Sequence, residues 1–142
     1  MKHGTRCLLA ALVVSAVGLG CASGGSKQAA GERVAAAVGA DGVQRVAIVA
    51  RSFAFSPNRI AVKAGAPVEL TISKEPDVIP HSFVLQAAAA GISVSEQLGT
   101  KPKVVRFTPT KPGSYEFFCD KDPALFKSHR SLGMVGTLEV VP

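Results

Sequence analysis

From residue 43 onward, apolar and polar positions alternate in short runs. Val68, Leu70 and Ile72 alternate with Glu69, Thr71 and Ser73, the period of a half-buried strand. Residues 43–51, carrying Val46, Ile48 and Val49, read as an earlier strand, and residues 60–62 as a short one leading into a turn at Gly65. His81, Phe83 and Leu85 share one face of the next run. Residues 103–107 form another, closed by Pro109, Pro112 and Gly113. Tyr115, Phe117 and Cys119 share a face of the following strand, with Phe118 on the other. Met134, Leu138 and Val140 fall on one parity of the last run, residues 134–141. About seven short strands separated by turn signals predict an all-β antiparallel sandwich or barrel of roughly 100 residues. Two stretches break the pattern. Residues 87–99, with four consecutive Ala, read as a long connection or short helix. Residues 122–127 read as one helical turn, with Asp122 as N-cap and Pro123 in the first helical position.

The N-terminus follows a different pattern. Lys2 and Arg6 precede the uncharged apolar stretch 8–20. Thirteen residues are short for a permanent membrane span but suit the apolar region of a signal peptide. Residues 1–20 therefore read as an export signal, and the rest as folding outside the cytoplasm, in the periplasm. Cys21 directly after Gly20 resembles the acylated Cys of bacterial lipoproteins; ordinary cleavage at a nearby small residue is the other reading. Residues 21–42, rich in Gly, Ala and Ser, read as a flexible tether to a domain spanning 43–142. Cys7 falls within the export signal.

Composition narrows the function classes. Hydrophobic residues make up 47% and charged residues 18%, enough for a packed core. Trp is absent, so the core must rest on aliphatics and seven Phe. Sixteen Lys and Arg against ten Asp and Glu give +6; without Lys2 and Arg6 the balance is 14 against 10, or +4. The basic residues are scattered with no block of interleaved aromatics, which argues against nucleic-acid binding.

Soft and borderline metal donors are scarce, so their placement is informative. After the tether there is one Cys, Cys119, two His, His81 and His129, and one Met, Met134. Each lies at or beside a strand–loop junction, and in antiparallel topology such junctions can share one end of a sandwich. Two imidazoles, a thiolate and a weak axial thioether make a blue-copper electron-transfer site. A nucleophilic Cys119–His129 pair is the enzymatic rival, but no Gly-rich turn follows Cys119. Structural zinc sites use closely spaced ligand pairs that this chain lacks.

The stretch from Pro112 to Cys119, then His129, then Gly133 to Val140, resembles the C-terminal signature of cupredoxins, the plastocyanin- and azurin-like proteins. Residues 80–85 resemble the strand that carries their first His. The resemblance covers residues 43–141 and implies a Greek-key β-sandwich of about seven to eight strands. It implies one copper ion held by His81, Cys119 and His129, with Met134 axial, and electron transfer rather than enzymatic catalysis. The implied partners are redox proteins of the periplasm or membrane, met by a monomer that touches the membrane only through its lipid anchor. Copper carriage or buffering is the alternative function.

Two departures from the family pattern matter. Nine residues separate Cys119 from His129, a longer loop than in typical plastocyanins and azurins. The Asn that often ties the ligand loops together near the first His is missing; Ser73 or Asp77 are the candidates to replace it. Leu125, Phe126 and Leu132 flank the ligand loop, either as an apolar docking rim around His129 or, for Phe126, as a plug for the longer loop.

Overall fold

The computed structural model describes residues 1, 31 and 33–142. Eleven strands follow one another: β1 (Arg33–Ala35), β2 (Ala37–Val38), β3 (Gln44–Arg51), β4 (Ala54–Ser56), β5 (Arg59–Lys63), β6 (Val68–Lys74), β7 (His81–Ala87), β8 (Ile92–Leu98), β9 (Lys103–Phe107), β10 (Gly113–Phe118) and β11 (Val135–Val141). They form two packed sheets. One runs β1-β5-β11-β10-β7-β8; the other runs β2-β3-β6-β9, with β4 also paired to β3. The expected all-β sandwich is therefore the observed fold.

Strand alternation builds the core. Val46, Ile48 and Ala50 of β3 and Val68, Leu70 and Ile72 of β6 are buried, while Arg45 and Arg51 stay outside. Phe83 and Phe117 are fully buried. With Phe55 they form an aromatic group whose ring centroids lie 5.0–5.7 Å apart. Each such side chain contributes about 1.5–3 kcal/mol by leaving water. This group lies beneath the sandwich end that carries Cys119.

Several expectations need correction. The sheets are mixed: β1–β5, β5–β11 and β3–β6 are parallel pairs. Side-chain alternation has period two in either orientation, so it cannot report direction. Residues 92–98 are a full strand, not a connection. The Ala run supplies only the end of β7 and a three-residue 3-10 turn, Ala88–Ala90, closed by Gly91 at φ +73°. Within the stretch read as a tether, β1 and β2 pair with β5 and β3, so residues 33–38 belong to the sheets. The export signal, Cys7 and Cys21 lie outside the described residues. The expected helical turn at 122–127 is a single turn, with the Phe126 N–H donating to the Pro123 carbonyl at 2.9 Å.

The β3–β4 hairpin is closed by two residues, Ser52 and Phe53, because Arg51 pairs with Ala54. Both have positive φ, +43° and +62°. Two-residue loops of this kind favour Asn-Gly, and a left-handed L-residue costs roughly 1–2 kcal/mol.

Candidate metal centre

Three strand ends and one loop assemble the site. His81 is the first residue of β7, Cys119 directly follows β10, and Met134 directly precedes β11. The β10–β11 ladder pairs Phe118 with Val135 and continues with the Cys119 N–H donating to the Met134 carbonyl at 3.1 Å. Directly opposed residues project to the same face of a sheet, so Cys119 and Met134 enter the interior side by side. Both are fully buried. On the other flank, β10 pairs Phe117 with Leu85. That register puts Cys119 opposite Phe83 and leaves His81 as its diagonal neighbour on the inner face.

His129 arrives from the loop between β10 and β11. Its N–H donates to the Lys121 carbonyl at 2.9 Å, which closes the loop across its neck. The chain then coils tightly: the N–H groups of Leu132, Gly133 and Met134 donate to the carbonyls of Ser128, Arg130 and His129 at 2.9–3.1 Å. Gly133 makes this reversal at φ +96°, a conformation glycine adopts without a Cβ penalty. Outside the loop, Arg130 pairs with Glu116, and its guanidinium lies 4.2 Å from the centre of the Phe118 ring. Phe118 is thus the half-buried outer-face residue that strand parity predicts.

His81, Cys119 and His129 are all buried, and one donor atom from each lies within 4.8 Å of the others. Cys119 Sγ is 3.4 Å from His129 Nδ1. Neither ring nitrogen of His81 has a hydrogen-bond partner, although both are buried. A buried polar atom left unpaired costs about 1–3 kcal/mol, so this arrangement calls for a ligand. The donor set of two imidazoles and a thiol, with a thioether on the adjoining backbone, suits copper. Burial lowers both imidazole pKa values below their ordinary value. His129 adds to the effect at His81, and Lys121 to that at His129. Neutral imidazoles are the metal-binding form.

Ser82 provides the tie between the ligand loops. Its N–H donates to Cys119 Sγ at 3.3 Å, and its hydroxyl accepts from the Asp120 N–H at 2.9 Å. The same hydroxyl reaches the Asp120 carboxylate. Ser73 and Asp77 do not hold this position. Ser73 pairs with Val49 in the other sheet, and Asp77 binds Lys74 and the Ile79 N–H in its own loop. Nothing in the composition of residues 80–85 singled out Ser82; its place directly after His81 was the available signal.

Phe53 was also missed. Its ring stands edge-on to His129 at 4.8 Å and to His81 at 6.1 Å between centroids. Beyond it lies a groove of about 680 Å³ lined by His129, Phe53, Ile79, Pro80, Phe126 and Leu132. The surrounding apolar side chains are exposed: Val78 at 99%, Leu125 at 90%, Phe126 at 78% and Leu132 at 44%. Phe126 therefore does not plug the loop.

A family model described as a cupredoxin-like domain matches residues 9–129. No curated protein matches the chain in sequence. Among solved structures, the metal-binding domain of the Streptococcus pneumoniae D39 Cu(I)-exporting P-type ATPase CopA, with Cu(I), is 26% identical at a TM-score of 0.60. The match covers 78% of this chain and 97% of that one. Auracyanin B is similar in fold at 23% identity and a TM-score of 0.54, over 69% of this chain and 88% of its own. Reduced rusticyanin is similar in fold at 19% identity and a TM-score of 0.56, over 77% and 84%.

Proposed function

Since the chain belongs to the cupredoxin-like family, we propose that His81, Cys119 and His129 would hold one copper ion, with the Met134 thioether as a weaker fourth donor. In this reading the protein is an electron shuttle outside the cytoplasm. The observation that carries it is the buried cluster: three donor atoms within 4.8 Å, with both His81 nitrogens unpaired. Bound there, copper supplies reversible one-electron chemistry between Cu(I) and Cu(II), for which thiolate and thioether favour the reduced ion and imidazole accepts both.

The chain's own residues do the rest. Strand ends fix His81, Cys119 and Met134, and the Ser82 bonds fix the Cys119 sulfur against the next loop, so the donors are preorganised. A catalytic thiol needs access for its substrate. Cys119 is fully buried, which favours coordination over nucleophilic attack. The apolar side chains around the groove at His129 suit brief docking of a redox partner from the periplasm or membrane. The export signal at residues 1–20 and a lipid anchor on Cys21 complete this reading. Mass spectrometry of the mature N-terminus tests the anchor.

The deciding experiment is an optical and paramagnetic-resonance spectrum of the protein loaded with Cu(II). One copper per chain with an intense thiolate band supports the reading; a colourless protein, or colour that persists in Cys119→Ser, sinks it. Copper carriage is the second reading, favoured by the 26% identity to the metal-binding domain of a Cu(I)-exporting ATPase. A carrier gives up copper readily to a Cu(I) chelator, whereas a shuttle cycles without losing it.

A further inference from the structure

Two residues of the wrong kind close the β3–β4 hairpin. Ser52 and Phe53 both sit at positive φ in a two-residue loop, where Asn-Gly meets the backbone demand without strain. A large aromatic is a poor occupant of the second position, because its Cβ crowds the backbone there. Phe53 packs in part against the sandwich core, but that contact alone does not call for an aromatic ring in this turn, since the residue is only half-buried.

The position of its ring does. The hairpin tip puts Phe53 edge-on to both imidazoles, at 6.1 Å and 86° from His81 and at 4.8 Å and 84° from His129. The two imidazoles are 5.1 Å apart, so one ring braces a pair. His81 has no hydrogen bond at either nitrogen to set its plane. Phe53 and His129 also share the wall of the 680 Å³ groove.

We infer that Phe53 is a positioning residue, held in a strained turn so that its ring sets the planes of His81 and His129 and screens His81 from the groove. The inference rests on the proposed copper site for its consequence, but the ring order it describes belongs to the metal-free protein as well. Strain at the tip is the means of aiming the side chain: a relaxed Asn-Gly turn has no ring to aim.

The test separates turn from ring. The double variant Ser52→Asn/Phe53→Gly gives the hairpin its preferred residues and removes the brace. Phe53→Leu keeps bulk without an aromatic edge, and Phe53→Tyr restores the ring. In metal-free protein, nuclear magnetic relaxation of the His81 and His129 rings should show new exchange in the double variant and Phe53→Leu, but not in Phe53→Tyr. In copper-loaded protein, a Cu(I) chelator should extract the metal about tenfold faster or more from the first two, the scale on which supporting contacts act at metal sites. The melting temperature of the metal-free double variant should hold or rise. Static rings and unchanged extraction in both ring-deleted variants would overturn the inference. If the double variant does not fold, Phe53→Leu against Phe53→Tyr decides alone. Newly mobile rings in a protein that takes up no copper would uphold the positioning role while removing the copper reading.

Discussion

Ser82 and Asp120 bridge two loops that approach the candidate metal centre from different strands. The Ser82 hydroxyl accepts from the Asp120 N–H at 2.9 Å and reaches the Asp120 carboxylate as well. One small side chain thereby connects the start of β7 to the residue after Cys119. Ser82→Ala keeps the backbone bond to the Cys119 sulfur but deletes the hydroxyl's bonds. The expected cost is about 0.5–1.5 kcal/mol, the net worth of a hydrogen bond, because Asp120 is exposed and water can replace the lost hydroxyl. Denaturant unfolding of the metal-free protein measures it. An unchanged midpoint would show that the bridge is incidental.

Gly136 and Phe117 make a second close relationship, this time inside the sandwich. They are paired residues of β11 and β10. A Cβ on Gly136 would run into Phe117 Cζ and lie 2.7 Å from the Asn58 carbonyl oxygen. Phe117 is fully buried against Phe55 and Phe83. Gly136→Ala should destabilise the protein by about 1–3 kcal/mol, the usual cost of overpacking. Phe117 lies two residues before Cys119 on the same strand face, so the copper spectrum should shift as well. A neutral melting temperature would show that the sheet yields at this point.

The two buried imidazoles give a pH dependence with a definite sign. Burial holds the pKa of each below the ordinary 6.5. As pH falls, the unfolded chain takes up protons at these positions before the folded one does. The neutral-imidazole contribution is therefore complete above about 6.5 and is lost as pH falls through the lower folded values. The metal-free protein should melt at a lower temperature at about pH 5 than at about pH 7.5, before most carboxylates titrate. A flat profile over that interval would contradict the burial of both rings.

Leu132 offers a test of the proposed docking surface that leaves the candidate donors untouched. It is 44% exposed on the wall of the groove beside His129. Leu132→Lys places a charge where an apolar partner surface would close. Electron exchange with a redox partner should slow by roughly tenfold, equivalent to about 1.4 kcal/mol, while the Cu(II) spectrum stays as it was. Stopped-flow kinetics read the first and absorbance the second. Equal rates would argue against docking at this groove.

The donor residues were legible because they are rare: after residue 42 the chain has one Cys, two His and one Met. Strand alternation located most of the sandwich for the same reason, since Val, Leu and Ile at every second position leave little choice. β8 was hidden although Ile92, Val94 and Leu98 are buried at alternate positions. The preceding Ala run and Glu96 on the apolar parity blurred its start and middle. β1 and β2 were hidden because Arg33–Ala35 and Ala37–Val38 are short and mostly exposed, and are held by pairing with β5 and β3. The roles of Ser82 and Phe53 depend on which loops face each other. Composition carries no record of that.

Three of the four candidate donors come from one continuous stretch. Cys119, His129 and Met134 lie within residues 119–134, and the first and last are opposed across a single strand pair. His81 alone belongs to the scaffold. Such a layout is modular: this stretch can lengthen, shorten or be exchanged as a cassette, provided its two ends keep their ladder partners. Its interior is then free to vary in partner choice and ligand strength while the sheets beneath stay as they are.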